Sequence, residues 1–142
     1  MTSTNEVEQR HSTDEPTFIH ADGTQEWYQN GKRHRVNGPA VIWKDGSLNW
    51  FHHGQMHRVG GPAVIWPDGT QKWCHYGKRH RVGGPAVEYP DGTQKWWVNG
   101  RCHRDDGPAV EYPDGTQEWW IDGKKLTYFE HWVLSGAKAT DN

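Results

Sequence analysis

Residues 22–44 read DGTQEWYQNGKRHRVNGPAVIWK, and this 23-residue string returns with small changes at 45–67, 68–90 and 91–113, then in part at 114–125. The register never slips. Asp22, Asp45, Asp68, Asp91 and Asp114 each open a copy and each precede a glycine. Trp27, Trp50, Trp73, Trp96 and Trp119 keep step, and Gly-Pro-Ala-Val occurs four times, ending at Val41, Val64, Val87 and Val110. A fixed period of this length marks stacked supersecondary units, each too small to bury its own apolar face. Positions that repeat build the stack, and positions that differ are free to carry function.

Two turns punctuate each copy. Asn30-Gly31 is a strong short hairpin signal, because both central residues of a type I′ turn need positive φ. His53-Gly54, Tyr76-Gly77, Asn99-Gly100 and Asp122-Gly123 repeat it with a varied first residue. Pro67-Asp68-Gly69 and its equivalents at Pro90 and Pro113 form the second turn, with proline presetting φ and glycine taking the left-handed slot. Strands of about five residues, such as 24–28 and 40–43, are expected between the turns. Each should pair with its sequence neighbour in an antiparallel meander. Alternation places Val41 on one face with Trp43 and turns Ile42 to solvent, since its equivalents include Glu88 and Glu111. The Trp27 series should then pack against the valine and aromatic row.

The ends differ from the middle. Residues 16–22 align one period early with 39–45, and Arg10-His11 aligns with Arg33-His34, so a degenerate half-repeat spans 10–21 after a disordered tail of 1–9. Beyond Lys125, Thr127 and Glu130 form a capping box. Leu126, Phe129, Trp132 and Val133 then fall at helical spacing, with Gly136 as a stop. A capping helix over 127–135 is expected to close the stack with these apolar residues, leaving 137–142 as a disordered tail. The single repeat domain therefore runs over 10–136, and its class is all-β with one short C-terminal helix.

Composition fits this reading. Only 32% of residues are hydrophobic, but ten Trp and five Tyr are among the 142. Each aromatic can bury about 150–250 Å², so a thin core suffices. The net charge of −2 is uneven, with the first three repeats at +4 between acidic ends. That is far from the basic balance of a nucleic-acid tail. Cys74 and Cys102 form no Cys-x-x-Cys, and no signal peptide or long apolar run occurs. Free thiols in a reducing cytoplasm are the expectation.

The string from Glu26 to His34, EWYQNGKRH, followed by the next Asp45-Gly46, resembles MORN repeats and their bacterial variant over residues 22–125. The departure is Arg-x-x-Gly-Pro-Ala after the histidine, where that family has Gly-x-Gly and an aromatic strand. The resemblance implies stacked β-hairpins in an elongated, twisted sheet. It also implies a non-catalytic role: a scaffold, a lipid-associated linker, or a phage- or bacterium-encoded inhibitor of the antitoxin kind.

Candidate chemistry lies in two places. His34-Arg35, His57-Arg58, His80-Arg81 and His103-Arg104 form an invariant row. Successive members should lie roughly 10 Å apart, two strands of spacing, too far to share a zinc ion. Arg35, Arg58 and Arg81 could instead read an anionic ligand such as a nucleotide, nucleic acid or phospholipid headgroup. Invariance across four copies is what a stacking role predicts: histidine bonding backbone or a turn Asp, and arginine lying on an aromatic ring or pairing with a repeat Asp or Glu. The varying hairpin tips are the second place. Tyr28, Phe51, His52, His53, His75 and Tyr76 offer aromatics and imidazoles on adjacent loops, a surface suited to a protein partner. His52, His53 and His75 could gather a metal, but no ligand-spacing motif accompanies them, so no metal or other cofactor is expected. No serine, cysteine or lysine has a base in place to activate it, and Asp105-Asp106 has no pocket to shift its pKa. The expectation is a non-enzymatic binding protein with no membrane span. An open sheet edge could also drive self-association.

Overall fold

The structure, a computed structural model, describes residues 14–140, with side chains described up to residue 136. The expected 1–9 tail and the Arg10-His11 alignment lie outside the described residues.

Eleven short strands form one long, unclosed antiparallel sheet. It begins with Phe18–Ile19, which pairs with Gln25–Glu26, so the half-repeat supplies the first edge. Gln25–Glu26 pairs in turn with Val41–Ile42, and Val41–Ile42 with Leu48–Asn49. The same two pairings recur along the repeats until Gln117–Ile121 meets Lys124–Leu126. Between the two main-sheet strands of each of the first four repeats, the chain leaves to make a separate small hairpin. These tips are Tyr28–Gln29 with Lys32–Arg33, Phe51–His52 with Gln55–Met56, Cys74–His75 with Lys78–Arg79, and Trp97–Val98 with Arg101–Cys102.

The expected five-residue strands are therefore broken in two, and the break falls on the repeated tryptophan. Trp27 N–H donates to the Ala40 carbonyl at 2.8 Å, while the Trp27 carbonyl accepts from His34 N–H at 3.0 Å. One residue thus passes the chain from the main ladder to the tip ladder. The cause is the Arg35–Pro39 segment, which stands between the returning tip strand and Ala40. Pro39 has no N–H to extend a ladder. In the fifth copy this segment is missing, and there Gln117–Ile121 runs unbroken for five residues.

The turns form as their residues demand. Asn30, His53, Tyr76, Asn99 and Asp122 have φ between 48° and 53°, and the following glycines between 75° and 83°, the type I′ signature. At the other turn Asp22 Oδ1 accepts from Thr24 N–H at 2.8 Å, and the same bond recurs at Asp45, Asp68, Asp91 and Asp114.

The core is a column of small residues at the corner between main sheet and tips. Ala40, Ala63, Ala86 and Ala109 are fully buried, and Val41, Val64, Val87 and Val110 lie beside them. Trp96 and Tyr112 pack against the Ala109–Val110 cluster, as expected for that pairing. Trp43 and Trp66 depart from expectation: both are about two-fifths exposed. Each turns instead to the residue six positions on. Trp43 Nε1 donates to Asn49 Oδ1 at 2.6 Å, and Lys72 Nζ lies 4.3 Å from the centre of the Trp66 ring.

The C-terminal helix, α1, spans Tyr128–Thr140 and passes through Gly136, so the expected stop and tail are replaced by four further helical residues. Its capping box forms, with Thr127 N–H on Glu130 Oε1 and Glu130 N–H on Thr127 Oγ1. Its orientation is the reverse of that expected. Phe129 and Trp132 are 68% and 60% exposed, whereas His131 is buried. The His131 ring Nε2 donates to the Arg104 carbonyl and Ser135 Oγ to the Asp105 carbonyl, both at 2.6 Å. Those two carbonyls open the fourth loop, outside any strand ladder, and such backbone acceptors need donors. The polar face of α1 meets that need, so the apolar stripe turns out.

Candidate functional site

The invariant row is fully engaged in holding the repeats. His34 Nδ1 accepts the N–H of His53, nineteen residues on, at 3.0 Å. His57 does the same for Tyr76 and His80 for Asn99 at 3.0 Å, and His103 for Asp122 at 2.9 Å. Each acceptor reaches the left-handed residue at the tip of the next hairpin, so every junction between tips carries one imidazole staple. A backbone N–H can only donate, which fixes these rings as neutral with the proton on Nε2.

Each arginine of the row closes its own repeat. The guanidinium carbons of Arg35, Arg58, Arg81 and Arg104 lie 3.8, 3.9, 3.9 and 4.0 Å from the centres of the Trp27, Trp50, Trp73 and Trp96 rings. Nη1 of each also donates to the carbonyl of the repeat's proline, at 3.0–3.1 Å. The glycine before that proline is needed for this contact. A Cβ on Gly61 would sit 2.9 Å from Arg58 Cζ.

Around this frame the varying tips gather. Phe51, His52 and Tyr76 line a groove of about 750 Å³ together with Arg35 and Arg58. Val36 and Val59 form its outer rim, 83% and 80% exposed. Tyr28 sits in the adjoining groove of about 490 Å³, beside Arg35 and Asp14. Its hydroxyl donates to Glu26 Oε1 at 3.3 Å. His53 stacks on His34 with ring centres 4.2 Å apart. His75 packs on the other side of the second junction, 4.4 Å from His57. Arg81 stands apart from both grooves, with Nη1 3.5 Å from Glu88 Oε1. The structure thus unites Arg35, Phe51, His52, Arg58 and Tyr76, places Tyr28 next door, and leaves His53, His75 and Arg81 outside that groove.

The sequence reading missed two features. Val36, Val59 and Val82 are all at least 80% exposed, in register on the loop edge. The signal was available, since the same position is Asp105 in the fourth copy and so tolerates charge. The second is a continuous imidazole column. Tip histidines fill the gaps between row histidines, with ring centres 4.9 Å apart for His34–His52, 5.6 Å for His52–His57, 4.4 Å for His57–His75 and 5.7 Å for His75–His80. Burial pushes the His34 imidazole below its ordinary pKa, with His53 and His52 adding to the shift. Burial likewise lowers His57, helped by His75 and His52.

His34, His52 and His53 bring ring nitrogens within 4.8 Å of one another. The donor chemistry works against an ion there. His34 Nδ1 already accepts the His53 N–H, so Nε2 carries the proton and has no lone pair to give. Ligation would require the other tautomer and the loss of the junction bond.

Cys74 and Cys102 are buried and unbonded to each other. Among the described residues no helix is long and apolar enough to cross a membrane. No protein-family model matches the chain, and no curated protein matches it in sequence.

Proposed function

We propose that the chain is a non-enzymatic, MORN-like repeat scaffold that binds a protein partner in the groove between its second and third tips. One observation carries this reading. The groove brings the varying Phe51, His52 and Tyr76 together beside the repeated Arg35, His57 and Arg58, and of these the repeated residues are already engaged in holding the stack. Its rim of exposed Val36 and Val59 beside aromatic rings and two guanidinium groups has the composition of a protein-binding surface. An inhibitor or antitoxin-like role in a phage or bacterium is the form of this function that the MORN-like resemblance supports.

Photo-crosslinking from the groove tests it. A crosslinking residue in place of Tyr76 should capture a defined partner, and one in place of Gln94 on the main sheet should not. Capture should disappear when Phe51→Ala and His52→Ala are added. Equal capture from both positions, or capture that survives those changes, would place the site elsewhere.

A second reading rests on Arg58. Arg35 pairs with Asp14, Arg81 with Glu88 and Arg104 with Asp106, whereas no carboxylate pairs with Arg58 among the described residues. Arg58 is then the member of the row best placed to receive an anionic group. A thermal shift with nucleotides or oligonucleotides that weakens as salt rises and vanishes in Arg58→Gln supports it. No shift with any anion removes it.

A further inference from the structure

We propose that the tip stack is an acid-sensitive device: protonation of the imidazole column loosens the first three junctions between tips while the fourth holds. The inference concerns the stack itself and stands whatever occupies the groove.

The first three junctions share one weakness. His34, His57 and His80 each accept a backbone N–H on Nδ1. Adding a proton to that nitrogen replaces a lone pair with a second donor, and two donors then face each other at hydrogen-bond distance. The groups around these rings worsen the effect. His34 faces His52 and His53, His57 faces His52, His75 and the Tyr76 ring, and His80 faces His75. Arg35, Arg58 and Arg81 follow the three rings in the chain. Among the described residues, no ion pair joins a carboxylate to any of the three. A charge on one ring therefore meets further groups able to become cationic.

The fourth junction is built differently. His103 Nδ1 lies 3.4 Å from Asp122 Oδ1, and its Nε2 lies 3.3 Å from Asp105 Oδ2. An imidazolium at His103 would find a carboxylate acceptor on each nitrogen, so the charged ring still bonds Asp122 across the junction, although its Nδ1 then no longer accepts the Asp122 N–H. On either side of it the column is apolar, since the tip positions equivalent to His52 and His75 are Val98 and Ile121.

The direction follows from linkage. His34 and His57 titrate below the ordinary value of 6.5, so the unfolded chain binds protons that the folded chain resists. Their contribution is complete above pH 6.5 and is lost as pH falls below it towards the folded pKa. Because His57 and Tyr76 also line the groove, that surface is remodelled by the same step.

The test is amide hydrogen exchange on the full ¹⁵N-labelled chain between about pH 7.5 and pH 5.5, the range in which imidazole changes charge. Protection of the Gly54 and Gly77 amides, which bond the Arg33 and Met56 carbonyls across the first two junctions, should fall several-fold, by up to about tenfold, one proton being linked to each opening. Protection of the Gly123 amide, which bonds the Cys102 carbonyl across the fourth junction, should change by less than about threefold, a small share of one proton's linkage. Equal loss at all the junctions, or no loss at any, would overturn the proposal. Two variants sharpen it. Asp105→Val with Asp122→Asn gives the fourth junction the residues of other copies and should make the Gly123 amide as acid-labile as those of Gly54 and Gly77. His57→Gln keeps an acceptor that cannot titrate and should make the Gly77 amide indifferent to pH. If the glutamine variant fails to fold, the paired aspartate variant still decides: a Gly123 amide that stays protected in acid in that variant contradicts the proposal.

Discussion

Arg58 holds its guanidinium carbon 3.9 Å from the centre of the Trp50 ring, eight residues earlier in the chain. The same guanidinium donates to the Pro62 carbonyl and packs on Gly61, so one side chain ties the tip strand to the loop that returns to the sheet. Lysine keeps the charge but has no planar face to stack and no fork to share between ring and carbonyl. Arg58→Lys should therefore cost about 1–2 kcal/mol in a urea titration, the sum expected for a stacked cation and a charged hydrogen bond less what lysine recovers. Gly61→Ala should destabilise in the same direction, because its new methyl occupies the place of the guanidinium.

The repeated tryptophans are not equivalent to those at the tips. Trp27 is 5% exposed and its indole N–H donates to the Asp14 carbonyl. Trp27→Ala should cost about 3–5 kcal/mol. Trp97 has a buried Nε1 with no acceptor among the described residues. Trp97→Phe removes that orphan donor and should stay within about 1 kcal/mol of the native chain. A large loss in the phenylalanine variant would show that the indole nitrogen is bonded in solution.

The Asp-Gly turns depend on the carboxylate oxygen as an acceptor. At Asp68 the N–H of Thr70 holds the carboxyl below its ordinary 3.8. The same bond acts at Asp22, Asp45, Asp91 and Asp114. A depressed folded pKa gives stability that is present above 3.8 and fades as pH falls below it. Asp68→Asn retains the oxygen and should leave the urea midpoint near native at neutral pH. Asp68→Ala should lower it.

Both thiols should be inert in the folded chain. Burial raises the Cys74 pKa, and burial with the nearby Glu118 carboxylate pushes Cys102 up to about 11. Little thiolate is available at neutral pH. Reaction with a disulfide reagent should be slow in the native protein and rapid after denaturation. Rapid labelling of the native chain would mean that the tip hairpins open readily.

Turn chemistry was legible because it is local: positive φ at Asn30 and Gly31 follows from two adjacent residues. The capping box at Thr127 was legible for the same reason. The broken strand at Trp27 was not, because it depends on where Pro39 returns relative to His34. The direction of α1 was also hidden. Helical spacing of Phe129, Trp132 and Val133 says nothing of two carbonyls, at Arg104 and Asp105, that draw His131 and Ser135 inward. At the site, variation marked Phe51, His52 and Tyr76 as tip residues. The imidazole column was not visible, since it requires His52 to fall between His34 and His57 from neighbouring repeats.

The invariant histidines serve as acceptors joining one tip to the next, and the varying tips are the proposed binding surface. Nitrogen NMR of the His57 ring tests it most directly. At about pH 8, where imidazole is neutral, the ring should be a single tautomer with the proton on Nε2 and a lone pair on Nδ1, coupled through the hydrogen bond to the Tyr76 amide nitrogen. A proton on Nδ1, or fast exchange between the two tautomers, would contradict the account.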